Sequence, residues 1–546
     1  MSNNIDTSST PPLTAALDSA HIGDIHGALG TIKAGDTAPR RKLSAKLRTL
    51  LAIMGPGLIV MVGDNDAGAY GTYTQTGQNY GTALLWTLLV LVPVLYVNQE
   101  MVLRLGVVSG VGHARLILER FGKLWGAFSV IDLFILNALT ILTEFIGVSL
   151  AAKYLGFPPL VGVLVPAVLV MVGASTGSFR VFERFAVILS VGSLFFIPVF
   201  IMVHPSVGAM AHDMLIPGLP HGAQLSTVLL LIIGIVGTTV APWQLFFQQS
   251  YVIDKRITPR FMNYARWDLV VGIFVVIAGG LALMGLSAAA FAGHAEFGAF
   301  QDAGTVAAGL QKYVGRAAGV FFAVSLIVAS IIGAAAISLS TAYAVGDVLS
   351  LNHSLHRKVT DAPAFYAIYA GLIAVAAVLV LLPGVPLGLL TNAVQALAGV
   401  LLPSATIFLL LLCNDAAVLG PWVNTTRVNL FTGVVIAIMV MLSVILTAAV
   451  LFPDITETQI LWILGAGTTA AVGIGFWMAF GRPEGRPVLS VVDADRTNWR
   501  MPPLDSLPSG KLTPLNRFWL GSLRAYLLVA VILVIVRVTQ LALHTH

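Results

Sequence analysis

The chain has 546 residues, 57% of them hydrophobic and 10% charged, with a mean hydropathy of +0.90. Soluble chains carry about 25% charged residues, so a soluble enzyme or nucleic-acid binder is excluded and a polytopic membrane protein is required. The single cysteine, Cys413, excludes an internal disulfide or a thiolate cluster, and the net charge of +5 reports topology rather than a nucleic-acid partner.

In chain order, residues 1–45 are polar and rich in Ser, Thr, Asp and Gly, and read as a disordered cytoplasmic tail without a cleavable signal. A helix needs about 20 apolar residues to cross a bilayer. Such runs lie near 50–76, 82–103, 124–152, 158–175, 184–203, 225–250, 268–293, 317–350, 363–383, 387–412, 428–452, 460–480 and 523–543. The first ten make a transport core over 46–416, and two more occupy 417–480. A stretch rich in Pro, Arg and Asp at 481–522 reads as a cytoplasmic linker to a last helix at 523–546. With the N-terminus inside, all of the 30 basic residues except Lys153, Lys312, Arg316 and Arg537 fall on the cytoplasmic side, as the positive-inside rule requires.

Two spans carry helix breakers at mid-membrane. The first holds "GPG" at 55–57 and "GDNDAG" at 63–68; the sixth holds "GIVGTTVAPWQ" at 234–244. Gly and Pro cost a helix roughly 1 and 3 kcal/mol per residue, so both helices are expected to unwind there. Breaks five spans apart are the signature of an inverted repeat, spans one to five matched to six to ten, with the substrate at the midplane. The expected fold is therefore an all-α, LeuT-like 5+5 repeat with broken helices one and six and two or three extra C-terminal helices.

An ionised Asp at the bilayer centre costs about 3 kcal/mol on insertion scales, and no Lys or Arg falls centrally in the first ten spans. A cation or a proton is the expected partner. The side chains available at the breaks are Asp64, Asn65 and Asp66, Thr238 and Thr239, and Gln395 from "TNAVQALAGVLLP" in span ten. All are oxygen donors, and no Cys, His or Met stands at either break. Carboxylate, carbonyl and water suit hard ions such as Mg²⁺, Ca²⁺ and Mn²⁺, and Mg²⁺ keeps several of its waters; Na⁺ would also accept such a site. Asp64 either contacts the ion through water or lines the mouth.

At these residues a family resemblance emerges. "GPGLIVMVGDNDAGAYGTYTQTGQNYGTALLW" followed by "QEMVLRLGVVSG" resembles the opening of the Nramp metal-ion transporters. The resemblance implies that Asp66 is the metal-binding aspartate, that Ala69 stands where a metal-binding asparagine is usual, and that Asn65 is its neighbour. It places Thr238 at a metal-facing alanine, Ala241 at the position of the family's methionine, Trp243 at a histidine, and Gln395 at a span-ten glutamine. Glu144, in "ILTEFIG", matches an acid associated with proton movement, whose companion acid is here Ile141. Loss of the thioether, the histidine and one acid, with "GTTVAPWQ" at the break, resembles the magnesium-transporting branch of the family.

The expectation is a secondary transporter, not an enzyme and without a cofactor. It would import partly hydrated Mg²⁺, with Mn²⁺ as a further substrate, without proton coupling. It would act as a monomeric transport unit in the lipid bilayer of a bacterial inner membrane. Two alternatives stand beside it: a proton-coupled Mn²⁺ or Fe²⁺ transporter, and a Na⁺-coupled symporter of an organic solute.

Overall fold

A backbone surrounded by lipid must satisfy its own N–H and C=O groups, and apolar runs of this length do so as helices. The computed structural model describes residues 19–220, 222–382, 387–451, 455–480, 497, 499–508, 521 and 524. Among them, nine helices are long and apolar enough to cross a bilayer. A tenth is made if the bent pair Leu43–Ile53 and Pro56–Gly63, meeting at 51°, counts as one.

Span one comprises Pro56–Gly63 and Ala67–Tyr80; span two is Trp86–Ser109, span three Lys123–Tyr154 and span four the shorter Pro159–Ala174. Span five bends between Phe179–Ser193 and Phe196–Val203, and span six comprises Leu225–Thr239 and Pro242–Asp254. Spans seven to eleven are Met262–Phe291, Arg316–Leu349, Pro363–Val380, Leu387–Cys413 and Thr426–Leu451, and a further helix, Glu457–Phe480, follows. The expected span at 523–543 lies, apart from residue 524, outside the described residues, as does most of the linker at 481–522.

The packing repeats with a shift of five. Span seven lies along both halves of span one, and span two along both halves of span six. The lower half of span one touches span five, as span six touches span ten, and span three runs along span eight, its own counterpart. This is the pattern that an inverted repeat imposes. Both breaks fall where expected, at Asp64–Asp66 and at Val240–Ala241.

The N-terminal expectation needs correction. Residues 19–45 are folded, while 1–18 lie outside the described residues. A two-stranded antiparallel hairpin pairs β1 (Ile25–Gly27) with β2 (Gly30–Ile32), Ile25 opposite Ile32. Ile25, Ala28 and Ile32 are buried, and the backbone of Gly27 and Gly30 lies so close to Ala52 that a Cβ would not fit at either. Basic groups at the ends of spans five and six hold the hairpin. Arg184 donates to the Ala28 carbonyl (3.1 Å), and Arg256 donates to those of Ala20 (3.0 Å) and Asp24 (3.1 Å). The Ala28 N–H is in turn bonded to Glu183. These unlike partners, scattered along the chain, offset the polarity that otherwise predicts disorder.

Beneath the hairpin, the start of span one is fastened to span seven. The Asp268 carboxylate accepts the N–H groups of Gly55 (3.1 Å), Gly57 (2.7 Å) and Leu58 (3.2 Å). A carboxylate from another helix thus satisfies donors that a helix N-terminus leaves free.

Candidate metal-ion site

The break in span one is three residues long. Pro56–Gly63 ends at Asp64, and Asp66 opens the next helix from an extended conformation. The Asp66 side chain caps that helix, its Oδ1 accepting the Ala69 N–H at 2.9 Å. In span six the chain leaves the helical region at Val240 and Ala241, and Pro242 starts the second half, where its missing N–H costs nothing.

Asp64, Asp66, Thr238, Thr239, Gln395 and Glu144 are all buried. Gln395 from span ten reaches the first break. A Cβ on Gly68 would strike its amide and would lie 3.2 Å from Asp66 Oδ1. Glu144 from span three arrives from the other side, its Oε2 accepting the Ala67 N–H at 3.1 Å. Gly333 of span eight permits this approach: a Cβ there would sit 2.8 Å from Glu144 Oε2 and 3.0 Å from Asp66 Cβ.

Several expected residues are occupied elsewhere. The Asn65 amide turns to span seven, donating to the Val276 carbonyl at 3.3 Å and packing on Gly279, so it does not join Asp66. Thr239 bonds back to the Ile235 carbonyl (2.6 Å) and to the Tyr73 hydroxyl (2.7 Å). Thr238 Oγ1, in contrast, is buried with no partner among the described residues. Ala241 forms part of the break, and Trp243 is buried against Gly63, while Ile141 sits in the core one turn before Glu144.

Asp64 has a partner that its sequence position does not reveal. Gln244 Nε2 donates to Asp64 Oδ1, and Gln99 of span two donates to Gln244 Oε1 at 2.9 Å. Asp64 Oδ2 and Glu144 Oε1 remain buried without protein partners among the described residues. No Lys, Arg or His lies within ion-pair distance of Asp64, Asp66 or Glu144 among these residues.

The donor set suits a cation that retains water. Water bound to a metal gives its protons outward, so it needs acceptors, and the carboxylates and the Thr238 hydroxyl supply them. Gln395 serves once its amide presents oxygen, an orientation that hydrogen-bonding partners decide. Among the described residues no three His, Cys, Asp or Glu side chains converge as a closed metal cage.

A narrow cleft reaches Ala67 at the break from the face bearing the loop between spans seven and eight. It is lined by Ala67, Gly71, Thr143, Gly147, Asp302 and Thr391 among others. On the opposite face lie the hairpin and the paired ends of spans five and six.

Fold and site together define a polytopic helical membrane protein whose first broken helix presents buried acids where it meets the second. Residues 57–449 match the family model described as natural resistance-associated macrophage protein-like, and the chain belongs to the Nramp family. It is 26% identical over 418 residues to the divalent metal cation transporter MntH of Burkholderia ambifaria, covering 74% of this chain and 90% of that one. It is 32% identical over 302 residues to the protein of the same name from Ralstonia nicotianae, covering 52% and 66%. The fold is shared with the Eremococcus coleocola manganese transporter, solved in complex with an aromatic bis-isothiourea substituted compound. The TM-score is 0.61, with 19% identity over 85% of this chain and 98% of that one.

Proposed function

We propose that this protein imports divalent metal ions, Mg²⁺ foremost, as partly hydrated ions and without a coupled proton. Family membership supports divalent metal transport, and the preference for Mg²⁺ rests on the donor set. The observation that carries it is the uncoiled segment at Asp64–Asp66, where two buried acids have no basic partner among the described residues and accept hydrogen bonds from neutral groups. Two carboxylates, hydroxyls and an amide are hard ligands, and Ala241 brings no thioether to the break.

Asp66 anchors the ion. Asp64, held by Gln244, contributes charge at the start of the route onward. Thr238 and Gln395 bond the water shell, and rocking of one repeat against the other exposes the ion to the second side. The arrangement of Lys and Arg supports a cytoplasmic position for the hairpin face. A membrane potential then supplies about 4.6 kcal/mol per 100 mV for a divalent ion, sufficient to drive uptake without protons.

Proteoliposomes carrying an internal pH dye test the reading. Mg²⁺ uptake without matching acidification, and without displacement by a hundredfold lower Mn²⁺, is expected. A second reading, proton-coupled Mn²⁺ transport, draws support from Glu144, an acid bonded directly to the span-one break, and from the MntH relatives. Acidification in proportion to flux and strong Mn²⁺ preference would establish that reading instead.

A further inference from the structure

The second half of span six, Pro242–Asp254, reads PWQLFFQQSYVID and carries a charge only at its last residue. Gln244 is tied to Asp64 and Gln99. One helical turn on, about 6 Å along the axis, stands Gln248. It is fully buried, and neither its amide nitrogen nor its amide oxygen has a partner among the described residues. Burying an amide with no hydrogen bonds costs several kcal/mol, and a Met or Leu would fill the same volume without that cost. This half of span six and the spans packed on it carry further unpartnered buried groups: Asn98 Nδ2 of span two, Ser338 Oγ of span eight and the Tyr251 hydroxyl at i+7 from Gln244. Spans two and eight both pack on this half of span six.

We propose that Gln248 is a relay position on the release route of the hydrated divalent cation, a reading that rests on the transport function argued above. After the ion leaves Asp66 and Asp64, the Gln248 amide takes up hydrogen bonds from its water shell. Beyond Gln244 this half of span six carries no charge before Asp254, and its chemistry suits passage. An amide or hydroxyl replaces bulk water for the shell, yet holds the ion too weakly to trap it, the balance that conduction through a pore demands. The next carboxylate on this helix, Asp254, belongs to the far end, where Ser354 and the Leu355 N–H bond it.

The test compares wild type with Gln248→Met, an apolar side chain of similar shape, and Gln248→Glu. Initial rates of Mg²⁺ uptake are measured in proteoliposomes, and Mg²⁺ binding is measured by calorimetry in detergent. Gln248→Met is expected to bind Mg²⁺ as wild type does while its maximal rate falls about tenfold, the equivalent of one hydrogen bond. Gln248→Glu is expected to lower KM and maximal rate together, because a charge on the route traps the ion. This split is one that a merely structural role would not produce, and it keeps the test decisive should Gln248→Met fold poorly. Wild-type rates in both variants would overturn the relay, as would loss of binding in Gln248→Met as severe as in Asp66→Asn. A wild-type protein that moves no divalent ion would overturn the functional reading and the relay with it, whereas unchanged variants beside an active wild type defeat the relay alone.

Discussion

Glu144 Oε2 accepts the backbone N–H of Ala67 at 3.1 Å, so the buried acid of span three is fastened to the uncoiled segment of span one. An amide oxygen can make the same bond. On the uncoupled account, Glu144→Gln therefore retains Mg²⁺ uptake within about threefold, whereas Glu144→Leu leaves the Ala67 N–H unpaired and loses about 1–3 kcal/mol of stability at the break. Uptake rates across an imposed pH gradient check this, and a rate in wild type that follows the gradient and is lost in Glu144→Gln would point to proton coupling.

Lys255 Nζ lies 2.6 Å from Glu183 Oε1, both side chains fully buried, and also donates to the Met54 carbonyl at 2.8 Å. Breaking a buried pair from one side leaves an uncompensated charge and costs about 3–5 kcal/mol, while replacing both partners is far milder. Lys255→Met and Glu183→Leu singly are expected to melt well below wild type, and the double variant to recover most of the loss. Thermal unfolding in detergent, read as a double-mutant cycle, measures the coupling.

Ala241 occupies the extended residue at the span-six break. Ala241→Met would add a soft thioether at the span-six break, and softness governs metal choice. The substitution should improve Cd²⁺ or Mn²⁺ competition against Mg²⁺ about tenfold, a shift of about 1.4 kcal/mol. Competition uptake at fixed Mg²⁺ reports the ratio.

His353 packs beside His21, its Nε2 3.1 Å from Asp347 Oδ1 and its ring 6.0 Å from that of His21. Burial disfavours the charged ring, but the hydrogen bond and charge of Asp347, with help from the Leu351 carbonyl and Asp254, hold its pKa up at about 9. Asp254 also faces it through His21, and Tyr343 and Phe365 enclose the ring. A pKa raised on folding contributes stability that is complete below the ordinary value of 6.5 and disappears as pH rises through about 9. His353→Ala should therefore lower the melting temperature more at pH 6 than above pH 10, where only the loss of ring packing remains.

The sequence makes the two breaks legible because Gly, Pro and Asp interrupt apolar runs at matching positions, a conflict that only function resolves. Asp66, Thr238 and Gln395 follow from that reading, since each sits on a break or on the span facing it. The direction of Asn65 does not follow. A three-residue uncoiled segment can point its middle side chain to either side, and packing against Gly279 decides for span seven. Gln244 is visible in the sequence only as the residue after Trp243; its bond to Asp64 joins positions 180 apart. The hairpin at 25–32 is hidden for a related reason. Its strands have three residues each, and the groups that hold them, Glu183, Arg184 and Arg256, come from spans five and six.

The central claim is that Asp66 carries the charge that binds a hard divalent ion, and calorimetric titration of purified wild type and Asp66→Asn with Mg²⁺ tests it most directly. Asn keeps the volume and an oxygen that can accept the Ala69 N–H, so the cap survives while the charge is removed. The account predicts saturable binding to wild type and a loss of about 3 kcal/mol, or about a hundredfold, in the variant. Equal affinity in the two proteins, with both folded, would contradict it.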